Sequence, residues 1–398
     1  MNSVSIYFYA GDFVDVLRRY DEGRQQIYQT HNEVARLVHD LRAANYRVNI
    51  YSFVTPDRRD EKPIDGIRIV SLGAKDHSTK SLLAPAVAED NVDAIIAHFP
   101  NLELLRAVAA TKSRVFAILA NSYNRTGIRS TLGRRKIVSL LNSSRFELVS
   151  NHCLPATEHL ARIGVKREKL IAWDISHPFD PESYKPKELA VRRRFEAVYV
   201  GAIIEDKGVA ELIRAIALLR EQGIEIHCSL AGLGDIDGMQ ALGASLGVSH
   251  LLSFVRLIGN TEAFNMMAAA DLVVVPSRTV YPEGFPLTMF EAIASRTPIV
   301  CSNHPMFREV LIDGQNASVF PAGDYRAFAA AIRRTLTDRS LYATLSRNAP
   351  LTWAALKGPA DWRTMISKWV VEGRSSPWLR DRTLVALKGT DSQTEALS

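Results

Sequence analysis

The stretch DLVVVPSRTVYPEGFPLTMFEAIASRTPIVCS, residues 271–302, constrains the fold of this chain more than any other. It begins with a Val-rich apolar run, Leu272 to Val275, and ends with a second, Pro298 to Cys301. Both have the length and β-branching of buried parallel strands. Between them lie a loop and a helix expected to start at Pro286, where proline's fixed φ and missing N–H cost nothing. Strand, loop, helix, strand is one crossover of an α/β sheet.

The helix carries an anomaly. From Leu287 to Ala294 it is apolar nearly all round, as a buried helix is, yet it holds Glu291 one turn after Leu287. A carboxylate there either finds hydrogen bonds or incurs a desolvation cost of several kcal/mol. A second carboxylate, Glu283, stands in the loop just before the helix, beside the N–H groups that a first turn leaves free. In open α/β sheets, ligands bind beyond the carboxyl ends of the strands. A ligand with hydroxyls at both ends and phosphates between them satisfies all three features, and a nucleotide sugar is such a ligand. The plainer alternative ties Glu291 to a neighbouring backbone group as a core carboxylate.

The pair Glu283 and Glu291, set in Pro276-Ser277 … Glu283-Gly284-Phe285-Pro286-Leu287 … Glu291-Ala292, resembles the signature of the retaining glycosyltransferases of family 4. The resemblance implies a GT-B fold: α/β, with two Rossmann-like doubly wound domains facing across a cleft. It implies that Glu283 contacts the donor's sugar and Glu291 its ribose. The backbone between them, Gly284, Phe285, Pro286, Leu287 and Thr288, then faces the diphosphate and sugar, with Ser277 and Arg278 beside it.

At 398 residues the chain has room for two domains, and 47% hydrophobic with 23% charged residues is ordinary for a soluble globular protein. No apolar run has the length of a membrane span. The opening MNSVSIYFYAGD has neither the basic region nor the apolar stretch of a signal peptide. Cys153, Cys228 and Cys301 are far apart and form no metal spacing. The expectation is a cytoplasmic protein with reduced thiols, possible at the inner face of a membrane. The net charge of +6 is unevenly spread: residues 1–176 hold 25 Lys and Arg against 19 Asp and Glu, and residues 177–398 hold 24 of each kind. An anionic or lipid-linked acceptor, or peripheral membrane contact, would suit the first half, as would a plain solvated surface. No recognition motif speaks for nucleic acid.

The first half alternates strands with helices. The expected strands are Val4 to Tyr9, Arg47 to Phe53, Ile67 to Leu72, Ala94 to Ala97 and Val115 to Leu119, with a helix from Asn32 to Ala43. A polar stretch up to about Tyr28 is long for a connection and therefore of functional interest. Against the family pattern, Gly23-Arg24-Gln25-Gln26-Ile27 replaces a Gly-Gly turn, and Ala120-Asn121-Ser122-Tyr123 lacks a His that touches the donor sugar. Asn121 is the candidate to supply a weaker version of that contact. The most basic run is Asn124 to Lys136, with Arg125, Arg129, Arg134, Arg135 and Lys136.

Trp173 to Pro186 is Pro-rich and aperiodic, and is expected to connect a first domain, 1–176, to a second, 177–350. In the second half the strand Ala197 to Val200 leads into Gly201-Ala202 and then Lys207-Gly208, a strand–Gly turn–helix arrangement that suits a phosphate, with Lys207 as a point charge. This resembles the family's Gly-Arg … Lys-Gly motif, except that Ala202 stands where the Arg belongs. Arg278 or another residue must then replace that cation, or catalysis is weak. Gly232-Leu233-Gly234-Asp235-Ile236-Asp237-Gly238 has the wrong spacing for a dinucleotide fingerprint, and its two acids read as turn chemistry. The resemblance implies neither metal nor cofactor, and places Arg256 and Leu257 beside the nucleotide base. Residues 351–398 are expected to form a helix, with Trp362 and Trp369 on one face, that returns to the first domain, and then a disordered tail.

The reading is a retaining glycosyltransferase moving a sugar from a UDP- or GDP-sugar to a hydroxyl acceptor, with catalytic candidates Glu283, Lys207 and Asn121. The alternatives are a non-catalytic nucleotide-sugar-binding partner subunit, a glycoside hydrolase using Glu283 and Glu291, and a dinucleotide oxidoreductase, which the glycine spacing disfavours.

Overall fold

A computed structural model describes residues 2–24, 26, 29–74, 80–98, 101–123, 128–191 and 194–387. The chain divides into two compact units, residues 1–176 with 358–398, and residues 177–357.

The second unit is built on a six-stranded parallel sheet. Its spatial order is Leu252–Val255, Glu225–Ala231, Arg194–Val200, Leu272–Val275, Ile299–Ser302, Ser318–Phe320. In chain order that is 3-2-1-4-5-6, a doubly wound Rossmann arrangement. The run Leu272–Val275 is buried at every position, as a central parallel strand requires. The order reverses between Arg194–Val200 and Leu272–Val275, so the crevice of this sheet opens at Gly201 and Pro276, where those strands end.

Among the described residues the first unit carries nine strands, in the order Ala360–Asp361, Leu170–Asp174, Phe146–His152, Arg114–Leu119, Ala94–His98, Ser3–Ala10, Arg47–Val54, Ile67–Ala74, Arg58–Ile64. All pair in parallel except the last two, which form an antiparallel edge hairpin. Its edge strand, Arg58–Ile64, is polar on both faces, and its lack of an apolar alternation hid it from the sequence reading, whereas its partner Ile67–Ala74 is largely buried and was expected. The polar stretch before Tyr28 contains a helix, Phe13–Asp21, capped by Asp12, whose side chain accepts from the Asp15 amide. Gln25, Ile27 and Tyr28 lie outside the described residues, as do 124–127, which include Arg125, and 388–398, which contain the tail expected to be disordered from about Thr390.

Two boundaries differ from expectation. Trp173 and Asp174 close the strand Leu170–Asp174 rather than opening a linker, because both pair with the following edge strand. The return to the first unit comes at Gly358, not 351. The helix Ala349–Leu356 stays with the second unit because Trp353 packs edge-on against Phe290 and His177, at 5.7 and 4.9 Å between ring centroids. The helix Trp362–Glu372 buries Trp362 and Trp369, and the Trp369 indole donates to Glu147 Oε2 at 2.8 Å.

Candidate functional site

Glycine sets the geometry of the second crevice. Gly208 has φ 74°, and a Cβ there would lie 2.1 Å from the carbonyl oxygen of Pro276. Only glycine lets the helix Val209–Glu221 begin beneath the end of the strand Leu272–Val275, which brings Lys207 against the following loop. A Cβ on Gly232 would meet the Gly201 carbonyl oxygen at 1.9 Å. The glycine turn that resembles a dinucleotide fingerprint is therefore the second wall of the crevice: Gly201 N–H donates to Ala231 O and Ile203 N–H to Leu233 O. Asp235 accepts from the Gly238 amide and caps the helix Ile236–Ser245.

Lys207 and Glu283 meet. Lys207 Nζ donates to Glu283 Oε1 at 2.5 Å, and the Ser277 hydroxyl donates to the same oxygen at 2.6 Å. Both charged side chains are largely buried, 14% and 7% exposed. The ammonium also lies 4.4 Å above the ring of Tyr281. The Tyr281 carbonyl accepts from His304 Nε2 at 3.0 Å, while His304 Nδ1 accepts from the Met306 amide at 3.2 Å, which makes His304 a neutral Nε2–H imidazole. Burial lowers its pKa, in keeping with that tautomer. Ser302 Oγ donates to the Ser277 carbonyl at 2.6 Å and pins the loop from below. Lys207, expected as a bare point charge, is thus already half-neutralised by the carboxylate expected to touch the sugar.

Arg278 does not stand in for the cation missing at Ala202. Its guanidinium donates to Glu211 through Nε at 2.9 Å and Nη2 at 2.5 Å, and to Glu205 through Nη1 at 2.7 Å. Two carboxylates more than cancel its charge. The Ala202 carbonyl accepts from the Tyr199 hydroxyl at 2.6 Å, so this turn is held by an aromatic side chain rather than extended by an arginine.

The helix begins at Leu287, with Pro286 as its cap. Thr288 Oγ1 donates to the Val200 carbonyl at 3.3 Å and ties the helix start to the strand that ends at Gly201. Phe285 is buried against Phe290 and Phe307, so it offers a ligand only backbone, with Gly284 and Pro286 flanking it. Glu291 follows one turn into the helix, and burial raises its pKa to about 7. Among the described residues its carboxylate has no hydrogen-bond donor and no ion-pair partner. It is not tied to a neighbouring backbone group. Arg256 and Leu257 are exposed just past the strand Leu252–Val255, two strands from the reversal. Asn121 belongs to the first unit, unlike the other candidates, and its backbone carbonyl accepts from Asn151 Nδ2 at 3.0 Å.

Tyr199, Glu211, Tyr281 and the imidazole of His304 escaped the sequence reading. Each acts on a partner distant in sequence, and no local pattern marks it. Chemically, the site combines one damped cation, the first-turn amides of a buried helix, and one half-buried carboxylate without a partner among the described residues.

Residues 180–352 match the family described as glycosyl transferases group 1. Glycogen synthase of Mycobacterium tuberculosis (strain H37Rv) is 32% identical over 171 residues, 43% of this chain and 40% of that protein. The amylovoran biosynthesis glycosyltransferase AmsK of Erwinia amylovora is 25% identical over 281 residues, 66% of this chain and 67% of that one. The chain thus spans about two fifths of the length of the first of these relatives. Among solved structures, sucrose-phosphate synthase from Thermosynechococcus elongatus superposes with a TM-score of 0.66 at 17% identity, covering all of both chains. Anabaena HepE in complex with UDP and glucose gives 0.63 at 18%, covering 94% of this chain and 100% of that one.

Proposed function

We propose, for a chain whose residues 180–352 are a glycosyl transferases group 1 segment and whose fold is that of the GT-B glycosyltransferases, that it is a retaining glycosyltransferase with a nucleotide-sugar donor. The observation that carries this reading is Glu291: a half-buried carboxylate with no protein partner among the described residues, in the turn after the helix start. A ribose presents two adjacent hydroxyls, and each can donate to such a group. Glu283, held by Lys207 and Ser277, has its second oxygen for a hydroxyl of the transferred sugar. The diphosphate then lies over Gly201, Ala202 and the first-turn amides of Leu287 and Thr288, with Lys207 as its cation. Arg256 and Leu257 flank the base.

In the step itself the anomeric carbon–phosphate oxygen bond breaks, and the electron pair leaves with the nucleoside diphosphate. An acceptor hydroxyl forms the new bond on the same face and passes its proton to the departing phosphate oxygen. The protein's contribution is stabilisation of charge on that leaving group. With Lys207 and the helix amides meeting that charge, the step is proposed to need neither metal nor cofactor. The hydroxyl acceptor is assigned to the first unit with Asn121, and peripheral contact with an anionic membrane to the helix Ile128–Asn142. Among the described residues no helix is long and apolar enough to cross a membrane.

A thermal-shift panel of nucleotides and nucleotide sugars tests the reading, because ligand at a hundred times its Kd stabilises by about 2.7 kcal/mol. A rise in Tm with UDP or GDP and their sugars is expected, and no rise with any nucleoside diphosphate would overturn it. A second reading, a nucleotide-sugar binder without turnover, has one observation in its favour: Ala202 supplies no cation, and Arg278 is spent on Glu205 and Glu211. Slow donor hydrolysis by the wild type distinguishes the two.

A further inference from the structure

The first sheet has a crevice of its own. Its strand order reverses at Ser3–Ala10, which lies between Arg47–Val54 and Ala94–His98. Just past the carboxyl end of that strand lies a cavity of about 220 Å³. An apolar cavity of about 150 Å³ holds a benzene ring, so this one has room for a single substituted ring.

The cavity's walls are aromatic. Phe8 and Phe13 stack at 4.5 Å, and Trp173 and Trp362 come from the strand Leu170–Asp174 and the helix Trp362–Glu372. His98 lies among them, its ring 5.0 Å from Phe8 and 5.7 Å from Trp362. Besides Tyr9, Thr30 and the imidazoles of His31 and His98, two polar groups interrupt the walls. Trp362 is 3% exposed, and among the described residues its indole N–H has no hydrogen-bond acceptor. Glu33 is buried, with Arg36 Nη1 3.4 Å from one carboxylate oxygen and Arg363 Nε 3.7 Å from the other. Among the described residues no Lys or Arg lines the cavity. Burial holds the imidazoles of His31 and His98 down to about 4, so both are neutral near pH 7.

A ligand matched to this lining is uncharged, has a flat apolar face for the aromatic rings, and bears hydroxyls. One hydroxyl oxygen accepts from the Trp362 indole, and another hydroxyl donates to Glu33. A phosphate or carboxylate would meet the Glu33 carboxylate, while the two cations nearby, Arg36 and Arg363, are engaged on Glu33 and do not line the cavity. We propose that this cavity is a second binding site, for one neutral hydroxyl-bearing ring, a sugar or cyclitol unit set against its aromatic walls beside Trp362 and Glu33. Resting on the transferase reading, that ring belongs to the acceptor, so the acceptor is neutral where it enters the first unit, whatever anionic group it carries elsewhere. The ring's source is either a free glycoside or the head of a glycolipid.

The test titrates the full chain by tryptophan fluorescence. The probes are the methyl glycosides of glucose, galactose and mannose, myo-inositol, octyl glucoside below its micelle concentration, and glucose 6-phosphate. At least one neutral ring is expected to give a saturable change, with glucose 6-phosphate at least tenfold weaker than the methyl glucoside or without effect. Octyl glucoside binding more tightly than methyl glucoside identifies a glycolipid head, and equal binding a free glycoside. Trp362→Phe keeps the ring and removes the N–H, and Glu33→Gln keeps the shape. Each is expected to weaken the neutral ring about tenfold, as one hydrogen bond of about 1.4 kcal/mol would. Val34→Phe, which fills the cavity, is expected to abolish binding. The proposal is overturned if no neutral ring binds, if glucose 6-phosphate binds as well as the best of them, or if all three variants bind like wild type. Each variant is also scored for its UDP-induced thermal shift. A retained shift shows a folded second unit, and absence of any nucleotide shift in the wild type sinks the transferase reading while leaving the ring titration intact.

Discussion

Two sheets in this chain each reverse their strand order once, and the two reversal points have opposite chemistry. In the second unit, glycines let backbone approach backbone, and the crevice is edged by a buried ion pair, a helix start and a lone carboxylate. In the first unit, the corresponding place is filled by aromatic rings, and its histidines are neutral. The same topology therefore supplies one site suited to a charged, phosphate-bearing ligand and one suited to a neutral ring. What differs is not the fold but which side chains occupy the last turn of each strand.

The largest contrast is expected in stability. Glu283→Ala leaves Lys207 buried without its partner, a loss of about 3–5 kcal/mol for a broken buried pair. Urea titration should show that loss, and Lys207→Met with Glu283→Leu should recover most of it. In the first crevice Glu33→Gln should cost little at pH 8. Burial raises the Glu33 pKa above its unfolded value, so its favourable contribution is present at low pH and already lost once pH has risen past the folded pKa. Equal losses at the two carboxylates would erase the distinction between the crevices.

Next in size is nucleotide binding. Glu291→Ala should weaken UDP or GDP by about 1.5–3 kcal/mol, mostly in KM rather than kcat, because ribose contacts are alike in ground and transition states. Partial burial raises the Glu291 pKa to about 7, and donated hydroxyls favour its ionised form, so affinity should rise as pH increases through about 7. Glu291→Gln should flatten that rise in calorimetry. The folding sign is opposite: a raised carboxylate stabilises below its unfolded pKa and loses that contribution as pH rises to about 7, so Tm should fall over that interval in the wild type and not in the glutamine variant.

Smaller still is the response to salt. Nucleotide affinity should fall from low to high ionic strength, while binding of a neutral glycoside in the first unit should not change. The smallest effect is expected on the basic helix. Reversing Arg134, Arg135 and Lys136 should leave stability within about 0.5 kcal/mol. It should reduce binding to anionic vesicles more at low salt than at high salt, and equal vesicle binding would leave only a solvated surface there.

Much of the second crevice was legible in the sequence because its determinants are local. A glycine before a helix, a proline at a helix start and a lone Glu on an apolar helix each announce themselves within a few residues. The strand Leu272–Val275 and the crossover after it emerge from the same kind of signal. The pairing of Lys207 with Glu283 was not legible, since the partners lie 76 positions apart and meet only because Gly208 lets the backbones close. The same holds for Glu211, whose grip on Arg278 removes a cation that composition alone seemed to offer. In the first unit, aromatic residues from four separate elements converge on one cavity, and no single stretch contains the pattern. His98, at the end of the strand Ala94–His98, lines that cavity too.

The most direct measurement follows the anomeric proton of the donor by NMR, using the nucleotide sugar that raises Tm most. Cleavage should release the nucleoside diphosphate and give a first-formed product with the donor's own anomeric configuration, and Glu283→Ala should slow it by about tenfold to a hundredfold or more, the equivalent of 1.5–3 kcal/mol. A first-formed product of inverted configuration would contradict the retaining assignment, and a donor that binds but is never cleaved, with or without acceptor, would leave the chain a binder.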